Sequence, residues 1–165
     1  MTNKLILFLI FIFIQVEAGN LEDINKIILN SKLSFEHKNI NSINDSFKIS
    51  TGVITRDENK VEILIQEPLK ESYTLYKNHI KFCDIDFGEC SNIDQKQLIE
   101  SPIYKLIKYG IKDNKGNYKD LEWIDKDNLK HEFFNIKLIN NSTIEISYFD
   151  NLQILNTLKL SITNI

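Results

Sequence analysis

Apolar and polar residues alternate in short runs across 51–91: Val53/Thr55, Val61/Ile63/Ile65, Tyr73/Leu75 and Ile80/Phe82. Turn-prone groups separate them, Asp57-Glu58-Asn59, Pro68, Lys77-Asn78 and the stretch 84–88. A period of two with breaks of this kind predicts an antiparallel meander with one buried face. Ahead of it, Leu33, Phe35 and His37 alternate with Ser34, Glu36 and Lys38, which predicts a first strand. From Phe47 the alternation resumes, with Phe47, Ile49, Thr51 and Val53 on one side. Arg56 shares parity with Ser50, Gly52 and Ile54, so it projects to the face opposite Val53. Four further strands are predicted at 121–124, 129–139 (with a break), 143–149 and 155–162, and Asp150-Asn151 suits a hairpin turn.

The period changes in two places. Asn20 can cap a helix with Asp23 in its first turn, and Leu21, Ile24, Ile27 and Ile28 share one face. Ser101-Pro102 reads as an N-cap followed by Pro at the first helical position, and Ile103, Leu106 and Ile107 make the stripe. Gly110 closes that helix, and 94–100 is expected to add a turn before it. The stretch 112–119 reads as an exposed polar loop.

Length and charge then narrow the class. A chain of 165 residues is one domain with room for one core. Its 20 basic and 23 acidic residues nearly balance, which leaves no electrostatic footprint for nucleic acid. Among the basic residues Arg56 is the only arginine. Residues 1–18 read as a signal peptide: Lys4 precedes the unbroken apolar run 5–14, and Val16-Glu17-Ala18 offers a cleavage site after Ala18. The exported domain is therefore expected over 19–165, with no cysteine near the new N-terminus to be lipidated.

Cys83 and Cys90 flank an even loop, so a plain hairpin would set them opposite one another at a separation a disulfide tolerates. Gly88 could instead carry a bulge that slips the register and parts them. An exported chain favours the bridge. The three histidines, His37, His79 and His131, have no ligand spacing, and neither a nucleophile elbow, a phosphate loop nor a zinc pattern is present. No enzyme activity, cofactor or metal is expected.

The order of these pieces resembles the outer-membrane lipoprotein carriers, the LolA/LolB-type fold. A strand opened by Gly52 is followed by the lone Arg56, a strand ending in Pro68 and a strand turning on Lys77-Asn78. The hairpin C-D-I-D-F-x-E-C at 83–90 stands where the family has aromatic-Asp-Pro-x-Leu-x-Gln. Phe149-Asp150-Asn151-Leu152 resembles the family's F-x-D-N-L-G turn, with Gln153 in place of its Gly. The resemblance implies a mainly β fold with α, an incomplete, half-open antiparallel β-barrel covered by short lid helices. It implies a periplasmic carrier that holds lipoprotein acyl chains in an apolar cavity between the inner and outer membranes. The implied partners are triacylated lipoproteins as cargo, an inner-membrane lipoprotein-releasing ABC transporter, and an outer-membrane receptor of similar fold, the carrier itself being a monomer.

Within the resemblance, Arg56 would latch the lid, although the family's Arg usually precedes Pro and here Asp57 follows. Ile103, Leu106 and Ile107 would belong to a lid helix over the barrel mouth. The apolar set Phe47, Ile49, Val53, Val61, Ile63, Ile65, Tyr73, Leu75, Ile80 and Phe82 is assigned to the cavity wall. Alternation alone does not say which face is concave, so the same set fits plain core under the convex side. The chain is expected to lack the family's C-terminal extension. A periplasmic lipid- or lipoprotein-sensing regulator is the alternative, and an unrecognised exported hydrolase a more distant one.

Overall fold

The computed structural model describes residues 20–41, 46–94, 102–111, 120–150 and 152–163. The expected leader 1–18, the helical turn over 95–100, Ser101, the loop 112–119, Asn151 and the last two residues lie outside the described residues.

Helix α1 (Leu21–Ile28) leads into strands β1 (Lys32–Asn41), β2 (Ser46–Arg56), β3 (Val61–Glu67), β4 (Glu71–Leu75), β5 (Ile80–Asp84) and β6 (Glu89–Ile93). Helix α2 (Pro102–Tyr109) follows, then β7 (Glu122–Trp123), β8 (Asn128–Lys130), β9 (Phe134–Asn140), β10 (Thr143–Phe149) and β11 (Leu155–Ile162). The predicted strand 129–139 is broken as expected, into β8 and β9, around His131 to Phe133. Neighbouring strands pair in the order β6-β5-β4-β3-β2-β1-β11-β10-β9-β8-β7, each pair antiparallel. The two ends of this order, β6 and β7, do not pair with each other among the described residues, so the sheet stays open.

One face of the sheet is apolar and carries both helices. Register places Leu33 opposite Ile54 and Ile162, Phe35 opposite Gly52 and Leu160, and Ile144 opposite Leu160 and Leu138. Helix α1 adds Ile24, Ile27 and Ile28 to this core, and α2 adds Leu106 and Ile107, all buried. Each such side chain is worth about 1.5–3 kcal/mol when removed from water, far more than the propensity of an eight-residue helix supplies. Asn20 caps α1, its side chain accepting from the Glu22 N–H at 2.9 Å. Gly110 ends α2 at φ +67°, the left-handed conformation that suits glycine after a helix.

Bending the layer over two helices requires a local device, and β2 supplies it. Its register against β3 slips between Thr51 and Gly52, a bulge that increases twist. A Cβ on Gly52 would fall onto the Leu64 carbonyl oxygen and within 2.7 Å of the Phe35 ring. Glycine here lets the aromatic ring lie against bare backbone.

Cys83 and Cys90 are joined as a disulfide across β5 and β6, directly opposite one another with Cα atoms 4.1 Å apart. Gly88 takes φ +69° within the turn and the register does not slip. The bridge shares its parity with Ser72 and so sits on the face away from the helices, as a staple on an edge strand.

Two stability outcomes follow from this backbone. Gly52→Ala should destabilise the protein by about 1–3 kcal/mol in urea denaturation, because the added methyl has nowhere to go. Gln153 holds φ +60° in the turn before β11, a left-handed conformation that glycine adopts without strain. Gln153→Gly should therefore raise stability, by up to about 1 kcal/mol in the same assay.

Candidate functional site

Helix α2 does not pack flush against the sheet. Between its Ile103 and Ile107 and the strands lies an open cleft of about 300 Å³, walled by Phe35, Ile54, Ile63, Ile65, Tyr73 and Leu158. His37, Ser50 and Tyr148 complete its lining. Depressions of about 440 and 520 Å³ lie elsewhere, but they are lined by Lys137 together with Lys130 and Glu145 or with Asp125 and Lys126. Charged walls of that kind suit water better than an apolar guest.

Arg56 lies beyond the cleft, at the C-terminal ends of both helices. Its guanidinium donates to the Ile28 carbonyl of α1 and the Lys108 carbonyl of α2, both at 3.3 Å, and to the Ile107 carbonyl. These are last-turn carbonyls, which lack partners inside their own helices and carry the negative end of the helix dipole. Only a planar, multi-donor cation reaches several such oxygens from one strand end. Burial pushes the Arg56 pKa down from its ordinary value, yet arginine remains protonated at any physiological pH.

Two other sets of contacts fix α2 at this end. The Asn25 side chain donates to the Ile111 carbonyl at 2.6 Å and accepts from the Ile111 N–H at 2.7 Å. A Cβ on Gly110 would stand 2.6 Å from Asn25 Oδ1, so glycine is required twice over at that residue. Lys108 Nζ donates to the Tyr76 carbonyl and to Tyr104 Oη, each at 2.8 Å, tying α2 to the turn between β4 and β5.

The opposite end of the cleft is polar. His37 Nε2 lies 3.0 Å from Asn156 Oδ1 and 3.3 Å from Tyr148 Oη. Asn156, 3% exposed, donates through Nδ2 to the Ile154 carbonyl at 2.8 Å. Burial lowers the His37 pKa, with the Asn156 hydrogen bond opposing it, which favours neutral imidazole. Burial also pushes Tyr148 up to about 12, so its phenol stays protonated. Tyr73, likewise raised to about 12, donates to Glu71 at 3.0 Å and packs its ring 5.0 Å from Phe82.

The residues assigned to a cavity wall from sequence are divided by this arrangement. Ile63, Ile65 and Tyr73 line the cleft. Phe82 lies beside Tyr73 on the same face, half-buried, while Val61, Leu75 and Ile80 are buried core near the Arg56 end. Phe47, Ile49 and Val53 are a correction: they point to the other face, and Phe47 and Ile49 are 63% and 48% exposed. The physical reason is register. Pairing Ile54 with Leu33 and Gly52 with Phe35 turns the even-numbered residues of β2 toward the helices. Of the expected lid-helix residues, Ile103 and Ile107 line the cleft and Leu106 is fully buried beneath α2.

Sequence reasoning missed Phe35, His37, Ser50, Ile54, Tyr148 and Leu158 as cleft residues, and Asn25 as a clamp. One signal was available: if Arg56 reaches the helices, its parity mates Ser50, Gly52 and Ile54 must face them as well. Among the described residues there is no group of three or more His, Cys, Asp or Glu side chains that could hold a metal.

No sequence family and no curated protein matches this chain. Its structure is similar to the crystal structure of a LolA superfamily protein, NE2245, from Nitrosomonas europaea. The TM-score is 0.50 at 8% sequence identity, with 88% of this chain and 92% of that chain covered. The similarity extends over nearly the whole of both chains, and the fold is of LolA type: an open antiparallel sheet with two short helices on one face.

Proposed function

We propose that the protein is a periplasmic carrier that binds lipoprotein acyl chains in the cleft beneath α2, with Arg56 as the latch of its lid. The single observation behind this reading is an apolar hollow between a bent sheet and a helix whose C-terminal carbonyls are held by one guanidinium. An acyl chain entering it leaves water at a gain of about 0.8 kcal/mol per CH₂, on the order of 12 kcal/mol for a chain of ~16 carbons. A lipid with that penalty does not cross an aqueous compartment unaided at useful rates. A carrier with an apolar hollow removes the barrier without chemistry.

About 300 Å³ is at the small end of ligand sites, which run from roughly 300 to 1,000 Å³. We therefore assign this conformation to the latched, unloaded carrier. Loading several chains requires α1 and α2 to move away from the sheet, and the guanidinium contacts are the ones that must break. Triacylated lipoproteins are the cargo on this reading. An inner-membrane ABC transporter would load them, and an outer-membrane receptor of similar fold would accept them.

A fluorescent fatty-acid probe should bind the protein saturably and be displaced by a diacylated lipopeptide. Absence of binding at micromolar protein would remove the carrier reading. Arg56→Leu should leave the far-ultraviolet circular dichroism unchanged while hydrogen exchange in α2 accelerates relative to the β1, β2 and β11 amides. Stranding two or three carbonyls costs about 1–3 kcal/mol, so probe release should quicken by about 5-fold or more. Equal release from mutant and wild type would count against the latch. Arg56→Lys should fall between them, since one ammonium cannot reach both helix ends in the same geometry.

A further inference from the structure

The polar end of the cleft is unexpected in a site built to shed water. On the covered face, hydrophobic side chains dominate β1, β10 and β11 until the row that contains His37, Ser50, Tyr148 and Asn156. Ser50 lies six residues from Arg56 along β2, about 20 Å at the rise of a strand, so the row stands at the far end from the latch.

Its hydrogen-bond polarity can be worked out. The Ile154 carbonyl holds the Asn156 amide with Nδ2 toward itself, which turns Oδ1 to His37. Oδ1 only accepts, so His37 Nε2 carries the proton and donates. Tyr148 Oη, 3.3 Å from the same N–H, can then only accept from it. The phenolic hydrogen of Tyr148 is not consumed by His37, and it stands at the wall of the cleft. Ser50, paired with His37 in the β1–β2 register, brings a hydroxyl to the same wall. The row therefore offers neutral O–H donors at the end of an apolar trough.

We infer that Tyr148, oriented by His37 and Asn156 and assisted by Ser50, forms a subsite for the acyl carbonyl where a lipid chain joins its ester linkage. The site takes ester-linked chains in preference to ether-linked chains of equal length. This rests on the carrier reading and deepens it: the trough holds the hydrocarbon, and the row reads the first polar group that follows. The chemistry matches on both sides. A carbonyl is an acceptor without a donor, and the row presents donors with no cation among its own side chains, so it suits a neutral ester better than a carboxylate. An ether oxygen is a poorer acceptor set at a different position. Lipid lacking the carbonyl leaves the O–H hydrogen of half-buried Tyr148 without that acceptor, the kind of mismatch that hydrogen-bonding sites reject.

The test compares a diacylated lipopeptide with its dialkyl ether counterpart of the same chain length, each displacing a fluorescent fatty-acid probe from the full-length mature protein. Wild type should favour the ester by about 3- to 10-fold, the worth of one neutral hydrogen bond. Tyr148→Phe should bring the ratio to about one by weakening the ester alone, with ether affinity unchanged. A purely structural role for the row would instead shift stability and both ligands together. Equal displacement by ester and ether in wild type overturns the subsite and leaves the carrier reading standing. Failure of both lipopeptides to displace the probe overturns the two together. The wild-type comparison needs no variant, so a poorly folding Tyr148→Phe would not blunt the test, and Ser50→Ala offers a second, smaller loss of preference.

Discussion

The arrangement of the two helices depends on one cation placed at the C-terminal ends of both at once. Helices as short as α1 and α2 are marginal by themselves, and each terminates in carbonyls that nothing inside it can satisfy. Arg56 meets carbonyls from both, so the two helices end on the same side chain. Asn25 joins the same two segments directly, through both its amide atoms and the Ile111 backbone. The consequence is that α1 and α2 behave as one roof with a common fastening. The fastening is polar and directional, whereas what lies beneath it is apolar and without geometry of its own.

The sheet contributes a gradient along its covered face. Near Arg56 the face carries Val61, Leu75 and Ile80, which are buried in the core. In the middle, α2 stands off from Ile63, Ile65 and Phe35, and the cleft opens. At the far end His37 bonds to both Tyr148 and Asn156. Gly52 makes this possible at the level of the backbone, because the bulge bends β2 and the missing side chain admits the Phe35 ring. Bend, hollow and polar row are thus successive consequences of where a few side chains are absent, apolar or hydrogen-bonded.

Much of the layout was legible in the chain because it is local. Alternation located the strands, the 3.6-residue stripes located both helices, and Asn20 and Gly110 marked helix ends for reasons that reside in a few neighbouring dihedral angles. The disulfide was readable to the same extent, since an even loop between Cys83 and Cys90 left two registers open and the structure holds the in-register one. The cavity wall was a different matter. Phe47, Ile49 and Val53 are as apolar as Ile63 and Ile65, but a period of two has no sign, and composition does not supply one.

Sequence by itself determined the secondary-structure elements, the amphipathic faces of the helices, and the parity that sends Arg56 and Val53 to opposite sides of β2. Tertiary structure alone decided which side is covered. It did so through long-range pairing: β1 against β11 sets Phe35 beside Leu160, and β1 against β2 sets it beside Gly52, contacts between residues far apart in the chain. It also brought His37 to Asn156 and Arg56 to Ile107, groups whose meeting no window of neighbouring residues encodes. A strand's pattern says that one face is buried, and only the partners it finds say which face that is and what is left room to enter.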